Sequence, residues 1–373
     1  MSGMEDLAHM RAALALARRG FGNTWPNPSV GCVIVKDGRV VGRAVTAPGG
    51  RPHAETLALA MAGAAARGAT AYVSLEPCCH TGRTPPCTDA LIAGGIARVV
   101  VSAGDPDKRV DGAGFARLRA AGIAVEEGVL AAEGLDVVAG FASRICRTRP
   151  LVTLKLASTL DGRIATHAGE SKWITGPAAR RAAHALRGRN DAVLIGVGTL
   201  LADDPKLTCR IPGLKKVPDL RIVADSHLRT RLTSSIAATA REVPSWFLVR
   251  AGTDPERQRA MIDLGAEVIE VPPGSVGIDL PAALRMLAKR GLTRLLVEGG
   301  AQIAAALLRA DLVDRIAWFH APTVIGADGW PAAQAFGVER LDAMPRFVRT
   351  NSVAIGEDML TELVRADAVA EAA

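Results

Sequence analysis

Apolar positions recur along this chain with two different periods, and the change from one to the other marks its elements. Over residues 4–19, Leu7, Met10, Leu14 and Ala17 return at spacings of three and four, which predicts an amphipathic helix ended by Gly20 and Gly22. Residues 30–35 form a short continuous apolar run, the mark of a buried strand. Lys36-Asp37-Gly38-Arg39 then turns the chain into a second strand over 40–44. Helices are predicted over 54–66, 88–93, 115–121 and 131–146, and strands over 71–75, 98–102 and 123–126. Such alternation implies an α/β sandwich on a largely parallel sheet.

Arg147-Thr148-Arg149-Pro150 reads as a linker, so domains are expected at 1–148 and 151–366. Beyond it, strands are predicted at 151–156, from 220 to the Asp225-Ser226-His227 loop, and at 246–250, 266–271, 294–298 and 316–319. Residues 359–364 read as the closing edge strand. Helices are predicted at 255–264, 280–290 and 301–309, and the tail after Arg365 reads as frayed.

A length of 373 residues supports two domains, and 49% hydrophobic residues suffice to build their cores. No apolar run nears the ~20 residues of a membrane span. The start of the chain carries Glu5, Asp6, Arg11, Arg18 and Arg19 among alanines, unlike a signal peptide, so a cytoplasmic protein with no membrane partner is expected. The net charge of +7 is spread evenly, +3 over 1–148 and +4 over the rest. With one Tyr and seven Phe for stacking, that spread argues against nucleic acid and suits small phosphorylated ligands.

Six cysteines in a chain this long make no disulfide framework. Cys32, Cys146 and Cys209 are scattered and read as small buried apolar residues. Cys78, Cys79 and Cys87 gather near His53-Ala-Glu55, with Pro77 lying 22 residues after Glu55. One imidazole, two thiolates and a carboxylate are the parts of a hydrolytic zinc site, which keeps one coordination position for water. The metal brings the pKa of that water to roughly 7. His-x-Glu followed by Pro-Cys is the pattern of zinc deaminases that act on nucleobases. His53 and Glu55 open a helix and are held rigidly together. Cys87 is expected at a helix start, where partial positive charge favours thiolate.

The insert Cys78-Cys79-His80-Thr81-Gly82-Arg83-Thr84-Pro85-Pro86-Cys87 departs from the usual close cysteine pair. It resembles the bifunctional deaminase–reductases of riboflavin biosynthesis. Further stretches resemble the reductase half of that family: Lys155-Leu156-Ala157-Ser158-Thr159-Leu160-Asp161-Gly162, Gly169-Glu170-Ser171-Lys172-Trp173-Ile174-Thr175, His184-Ala185-Leu186-Arg187, 198–208 and Leu296-Val297-Glu298-Gly299-Gly300-Ala301. The likeness covers nearly the whole chain. It implies a cytidine-deaminase-like α/β/α sandwich followed by an α/β domain like dihydrofolate reductase.

The resemblance implies one zinc ion on His53, Cys78 and Cys87, Glu55 as proton carrier, and Asn27 against the substrate. Asn27 reads equally as a turn asparagine. Cys79 would point away, as adjacent residues do in extended chain, and His80 and Arg83 would lie near the substrate. NADPH is implied in the second half, facing Trp173, Thr199, Asp203, Ser226 and the turn Gly299-Gly300-Ala301-Gln302-Ile303-Ala304-Ala305, with Ser158 at the nicotinamide. Ser171, Arg187, Leu207, Arg210 and Glu298 would face the substrate; for Arg187 and Arg210 there is a chemical reason, since guanidinium pairs bidentately with phosphate. A glycine turn entering a helix exposes N–H groups that suit a phosphate, although Gly299-Gly300 is not a Rossmann fingerprint.

The implied substrate is 2,5-diamino-6-ribosylamino-4(3H)-pyrimidinone 5′-phosphate, deaminated first and then reduced from ribosyl to ribityl. The reductase proton donor stays open among Lys155, Asp161 and Glu298. A homo-oligomer is expected. Two other readings stand beside this one: a nucleoside or nucleic-acid deaminase whose second half only binds ligand, and a structural-zinc protein with Cys79 or His80 closing the site.

Overall fold

The computed structural model describes residues 3–366; the tail beyond Ala366 lies outside the described residues. The chain divides into two compact units, with the boundary between Arg149 and Pro150.

The first unit runs α1 (Met4–Arg19), β1 (Gly31–Lys36), β2 (Arg39–Val45), α2 (Ala54–Ala62), β3 (Thr70–Leu75), α3 (Cys87–Ala93), β4 (Arg98–Ala103), α4 (Ala113–Ala120), β5 (Ala124–Glu126) and α5 (Ala131–Cys146). Its five strands lie in the order β2-β1-β3-β4-β5. β1 is antiparallel to both β2 and β3, and only β3, β4 and β5 are mutually parallel. The sheet is therefore mixed, not largely parallel. Asp37 and Gly38 have φ of 50 and 71, the tight turn whose twist joins antiparallel neighbours.

Helices α1 and α5 pack on one face, and α2, α3 and α4 on the other. Two glycines set how closely they approach. A Cβ on Gly31 would fall 1.9 Å from the Ala13 carbonyl oxygen of α1, and one on Gly42 would fall 2.2 Å from that of Ala58 on α2. α2 ends at Ala62, earlier than the alanine run suggests. Gly63 turns to φ 54, and the chain continues as a short 3-10 turn. At the far end of the sheet Arg98 clamps Asp6 with two bonds of 2.8 and 2.9 Å and also pairs with Glu126. The Tyr72 hydroxyl donates to Asp6 at 2.7 Å.

The second unit runs β6 (Leu151–Thr159), β7 (Arg163–Ala165), α6 (Pro177–Gly188), β8 (Ala192–Gly196), α7 (Val197–Asp203), β9 (Leu220–Ala224), α8 (Ser235–Ala238), β10 (Ser245–Arg250), α9 (Pro255–Asp263), β11 (Glu267–Val271), α10 (Leu280–Lys289), β12 (Arg294–Val297), α11 (Ala301–Arg309), β13 (Arg315–Ala321), β14 (Trp330–Pro331), β15 (Phe347–Ile355) and β16 (Asp358–Arg365). Nine strands form one sheet in the order β11-β10-β9-β8-β12-β6-β13-β16-β15. Pairing is parallel from β11 to β13 and antiparallel through β16 and β15.

β16 is thus not the edge. It is covered by β15, which the apolar pattern does not reveal because its central residues 348–354 are all exposed. Two cysteines also depart from expectation. Cys146 ends α5 exposed and Cys209 is half-buried, while Cys32 is fully buried on β1.

Candidate active sites

Three elements deliver the deaminase-type site. His53 is the residue just before α2, and Glu55 lies in its first turn. Pro77 and Cys78 follow β3, and Cys87 opens α3. The ligating atoms of His53, Cys78 and Cys87 lie within 4.8 Å of one another. His53 Nδ1 is 3.3 Å from Cys87 Sγ and 3.7 Å from Cys78 Sγ. One nitrogen and two sulfurs at this spacing fit a zinc ion.

Glu55 is 3% exposed, and its Oε2 is buried without a hydrogen-bond partner. A buried oxygen left unpaired costs on the order of 1–3 kcal/mol, which marks a place where a reacting group would complete it. Burial first, then the Cys78 charge, raises the Glu55 carboxyl above its usual range. Without a metal, the two thiols share one hydrogen bond and only one of them is driven toward thiolate. Cys78 is held down to about 4, first by a hydrogen bond from the Cys87 thiol. The Cys87 backbone N–H also donates to it at 3.4 Å. That bond and burial push the Cys87 thiol up.

Asn27 donates from Nδ2 to the Gly50 carbonyl at 2.8 Å and lies 3.4 Å from His53 Nε2. It therefore borders the histidine. Cys79 turns its thiol toward the Arg109 carbonyl at 3.7 Å, outside the His53-Cys78-Cys87 group. His80 has a buried Nδ1 with no partner. The loop after β4 brings Asp105 into the charge field of Cys78, and burial pushes its carboxyl up to about 7. Neither Asp105 nor the buried Glu76 beside Pro77 was marked by sequence. Their only signal was position at the ends of β4 and β3.

In the second unit the residues expected at a cofactor lie at the C-terminal ends of four neighbouring strands. Ser226 follows β9, Thr199 and Asp203 lie on α7 after β8, Gly299 and Gly300 follow β12, and Ser158 is near the end of β6. Ligands of open α/β sheets bind outside these ends. The Gly300 N–H donates to Thr199 Oγ1 at 3.0 Å, joining two of the turns. Lys172 reaches Asp203 at 3.3 Å, and Arg180 stacks 4.6 Å over the exposed Trp173 ring. A Cβ on Gly299 would fall 1.8 Å from Ile303 Cγ2, so a side chain here would have to displace Ile303.

Several expected contacts are constrained. Ser158 is fully buried; its hydroxyl donates to the Thr159 carbonyl and accepts from Trp318 Nε1 at 2.9 Å each. Ala301, Ala304 and Ala305 are buried, while Gly299, Gly300 and Ile303 are half-buried and Gln302 is exposed. Leu207 is 2% exposed, with its side chain in the core and its backbone at φ 53. Ser171 is half-buried in the 166–176 loop, and Arg210 is exposed.

Arg187 is already engaged. Its Nε and Nη2 hold the two Glu298 oxygens at 2.6 and 2.8 Å, and Nη1 donates to the Thr208 carbonyl at 3.2 Å. Burial raises the Glu298 carboxyl, but the Arg187 bonds outweigh it and the net shift is downward. Lys155 lies in the same charge cluster, its pKa lowered by burial. Asp161 faces elsewhere. It binds the Thr159 hydroxyl and the Ile325 and Gly326 N–H groups.

The comparisons with known proteins agree with this division. Residues 4–103 match the cytidine and deoxycytidylate deaminase zinc-binding region, and residues 150–361 match the RibD C-terminal domain. The riboflavin biosynthesis protein RibD of Escherichia coli K12 is 42% identical, with 97% of this chain and 100% of that protein covered. RibD of Aquifex aeolicus is 40% identical over 95% and 97%. Among solved structures, Acinetobacter baumannii RibD superposes with a TM-score of 0.87 at 36% identity, covering 97% of this chain and 99% of that one. The deaminase/reductase of Thermotoga maritima gives 0.83 at 32%, with the same coverage.

Fold and sites together define an enzyme that joins a deaminase unit of the zinc-binding type to a reductase unit. The chain belongs to the RibD family, the bifunctional deaminase–reductases of riboflavin biosynthesis. Among the described residues no helix is long and apolar enough to cross a membrane.

Proposed function

We infer that the chain converts 2,5-diamino-6-ribosylamino-4(3H)-pyrimidinone 5′-phosphate to 5-amino-6-(5-phosphoribosylamino)uracil and then reduces the ribosyl group to ribityl. The observation that carries this is the group of His53, Cys78 and Cys87 beside the unpaired Glu55 oxygen, in a chain similar to RibD along nearly its whole length. His53, Cys78 and Cys87 would hold a zinc ion, which would supply a water acidic enough to act as hydroxide near neutral pH. Glu55 moves the protons: one to the ring nitrogen beside the reacting carbon, then one to the departing amino group, which leaves as ammonia. Burial favours its protonated form and suits that shuttle. Asn27 steadies the rim next to His53.

NADPH would supply the hydride in the second unit. The 299–302 turn, with N–H groups at the start of α11, would hold its phosphates, and Thr199, Asp203, Trp173 and Ser226 would line the same site. The proton that accompanies the hydride comes from the Lys155–Glu298 cluster; the bonds of Asp161 to the 325–326 turn speak against it. Arg187 orients Glu298, and the exposed Arg210 is the freer partner for the substrate phosphate. Self-association through β15 fits its exposed edge, since unpaired strands recruit further strands.

The test follows ammonia and NADPH together during incubation with the phosphorylated diaminopyrimidinone. One ammonia and one oxidised NADPH per substrate are expected, with ammonia release proceeding when NADPH is withheld. Ammonia release without any NADPH oxidation would leave the deaminase alone. NADPH oxidation on the deaminated intermediate without ammonia release would leave the reductase alone.

A further inference from the structure

Glu76 plays no part in the chemistry above, yet four backbone N–H groups converge on its carboxylate. Oε2 accepts from Asp105 at 3.2 Å and Gly112 at 3.1 Å. Oε1 accepts from Gly114 at 2.9 Å and Phe115 at 3.3 Å. These donors span the loop after β4 and the first turn of α4. Glu76 itself is 3% exposed and lies two residues before Cys78, with its own N–H donating to the Ala103 carbonyl at 2.9 Å. One side chain thus ties the strand end that delivers a metal-site cysteine to the loop that carries Asp105.

The packing points the same way. A Cβ on Gly114 would fall 2.3 Å from the Pro77 carbonyl oxygen and 2.9 Å from Glu76 Oε1, so α4 starts at a separation only glycine permits. The loop is further braced by the Asp107 N–H, which donates to Asp105 Oδ1 at 2.8 Å.

We propose that Glu76 is a positioning residue of the deaminase: it fixes the 104–115 loop against Cys78, so that the loop forms one wall of the substrate site. The proposal rests on the deaminase reading of the first unit. A carboxylate is the group that can serve all four donors, because each oxygen accepts two bonds. A glutamine has one oxygen, and its NH2 would face two N–H groups, leaving two buried amides unpaired.

The test is Glu76→Gln in the full chain. The KM for ammonia release from the phosphorylated diaminopyrimidinone is expected to rise about tenfold while kcat stays within about threefold, because the wall moves but the proton carrier does not. Bound zinc and NADPH oxidation on the deaminated intermediate should match the wild type. Amide hydrogen exchange should lose protection at two or more of residues 105, 112, 114 and 115 and keep it across the sheet.

A native KM would overturn the proposal, as would loss of zinc or of protection throughout the first unit, which would mean a general structural role. If Glu76→Gln does not fold, Glu76→Asp keeps the charge and retracts it by one methylene. It is expected to raise KM in the same selective way, and a native KM there also overturns the proposal. A wild-type protein that releases no ammonia would refute the deaminase reading instead, while exchange at the four amides still judges the clamp.

Discussion

Arg187 and Glu298 form a two-pronged ion pair, Nε to Oε1 at 2.6 Å and Nη2 to Oε2 at 2.8 Å, with side chains only 15% and 9% exposed. Removing one partner of such a pair leaves a buried charge and costs about 3–5 kcal/mol. Arg187→Ala is therefore expected to lower kcat for NADPH oxidation, and Arg187→Lys, which keeps charge but loses the fork, to lower it less. Ammonia release should be unchanged in both. A native kcat with a raised KM for the phosphorylated intermediate would instead put Arg187 on the phosphate.

Glu55→Gln removes the proton carrier and leaves the metal donors in place. Loss of general acid–base action costs roughly 10²- to 10⁴-fold, so ammonia release should fall by that amount. NADPH oxidation with deaminated intermediate should persist. Equal loss of both activities would show that the two chemistries do not have separate sites.

Metal content separates the three clustered cysteines. Cys78→Ser and Cys87→Ser should each yield protein with little bound zinc, because both sulfurs lie beside His53 Nδ1. Cys79→Ser should keep its zinc, since that thiol points to the Arg109 carbonyl. Zinc lost from Cys79→Ser as well would favour a closed, four-ligand structural site.

Acid should weaken the first unit through Asp6. Its carboxyl is lowered from 3.8 to about 2, first by the Arg98 hydrogen bond. A depressed acid stabilises the fold fully above its unfolded pKa, and that contribution is lost as pH falls through the folded value. Allowing for solvent screening, it is worth about 1 kcal/mol. Asp6→Asn should lower the unfolding midpoint at pH 7 and have a much smaller effect near pH 2, where the folded-state carboxyl is about half protonated. An equal effect at both pH values would count against the ion pair as the cause.

Much of this was legible along the chain because it depends on local pattern. The helix at 131–146 has the bounds that periodicity assigns. The order of His53, Glu55, Cys78 and Cys87 named a metal site because zinc chemistry constrains residue type and spacing. Helices α6, α7 and α8 and strand β8 went unread, and the rest of what escaped was non-local. β15 has no buried face of its own and exists because β16 offers it a partner. Glu76 and Asp105 read as ordinary loop acids until the fold brings them beside Cys78.

The sequence by itself determined the helices of the first unit, three of those in the second, most strands, and the residue types gathered as His53, Cys78 and Cys87, since periodicity and side-chain type are local properties. Only the tertiary structure decided that Arg187 faces Glu298 across 111 residues, that Ser158 and Leu207 are buried, and that the Cys78 and Cys87 sulfurs share the space beside His53 Nδ1. Those outcomes depend on which groups share a desolvated space, and spacing along a chain does not encode that.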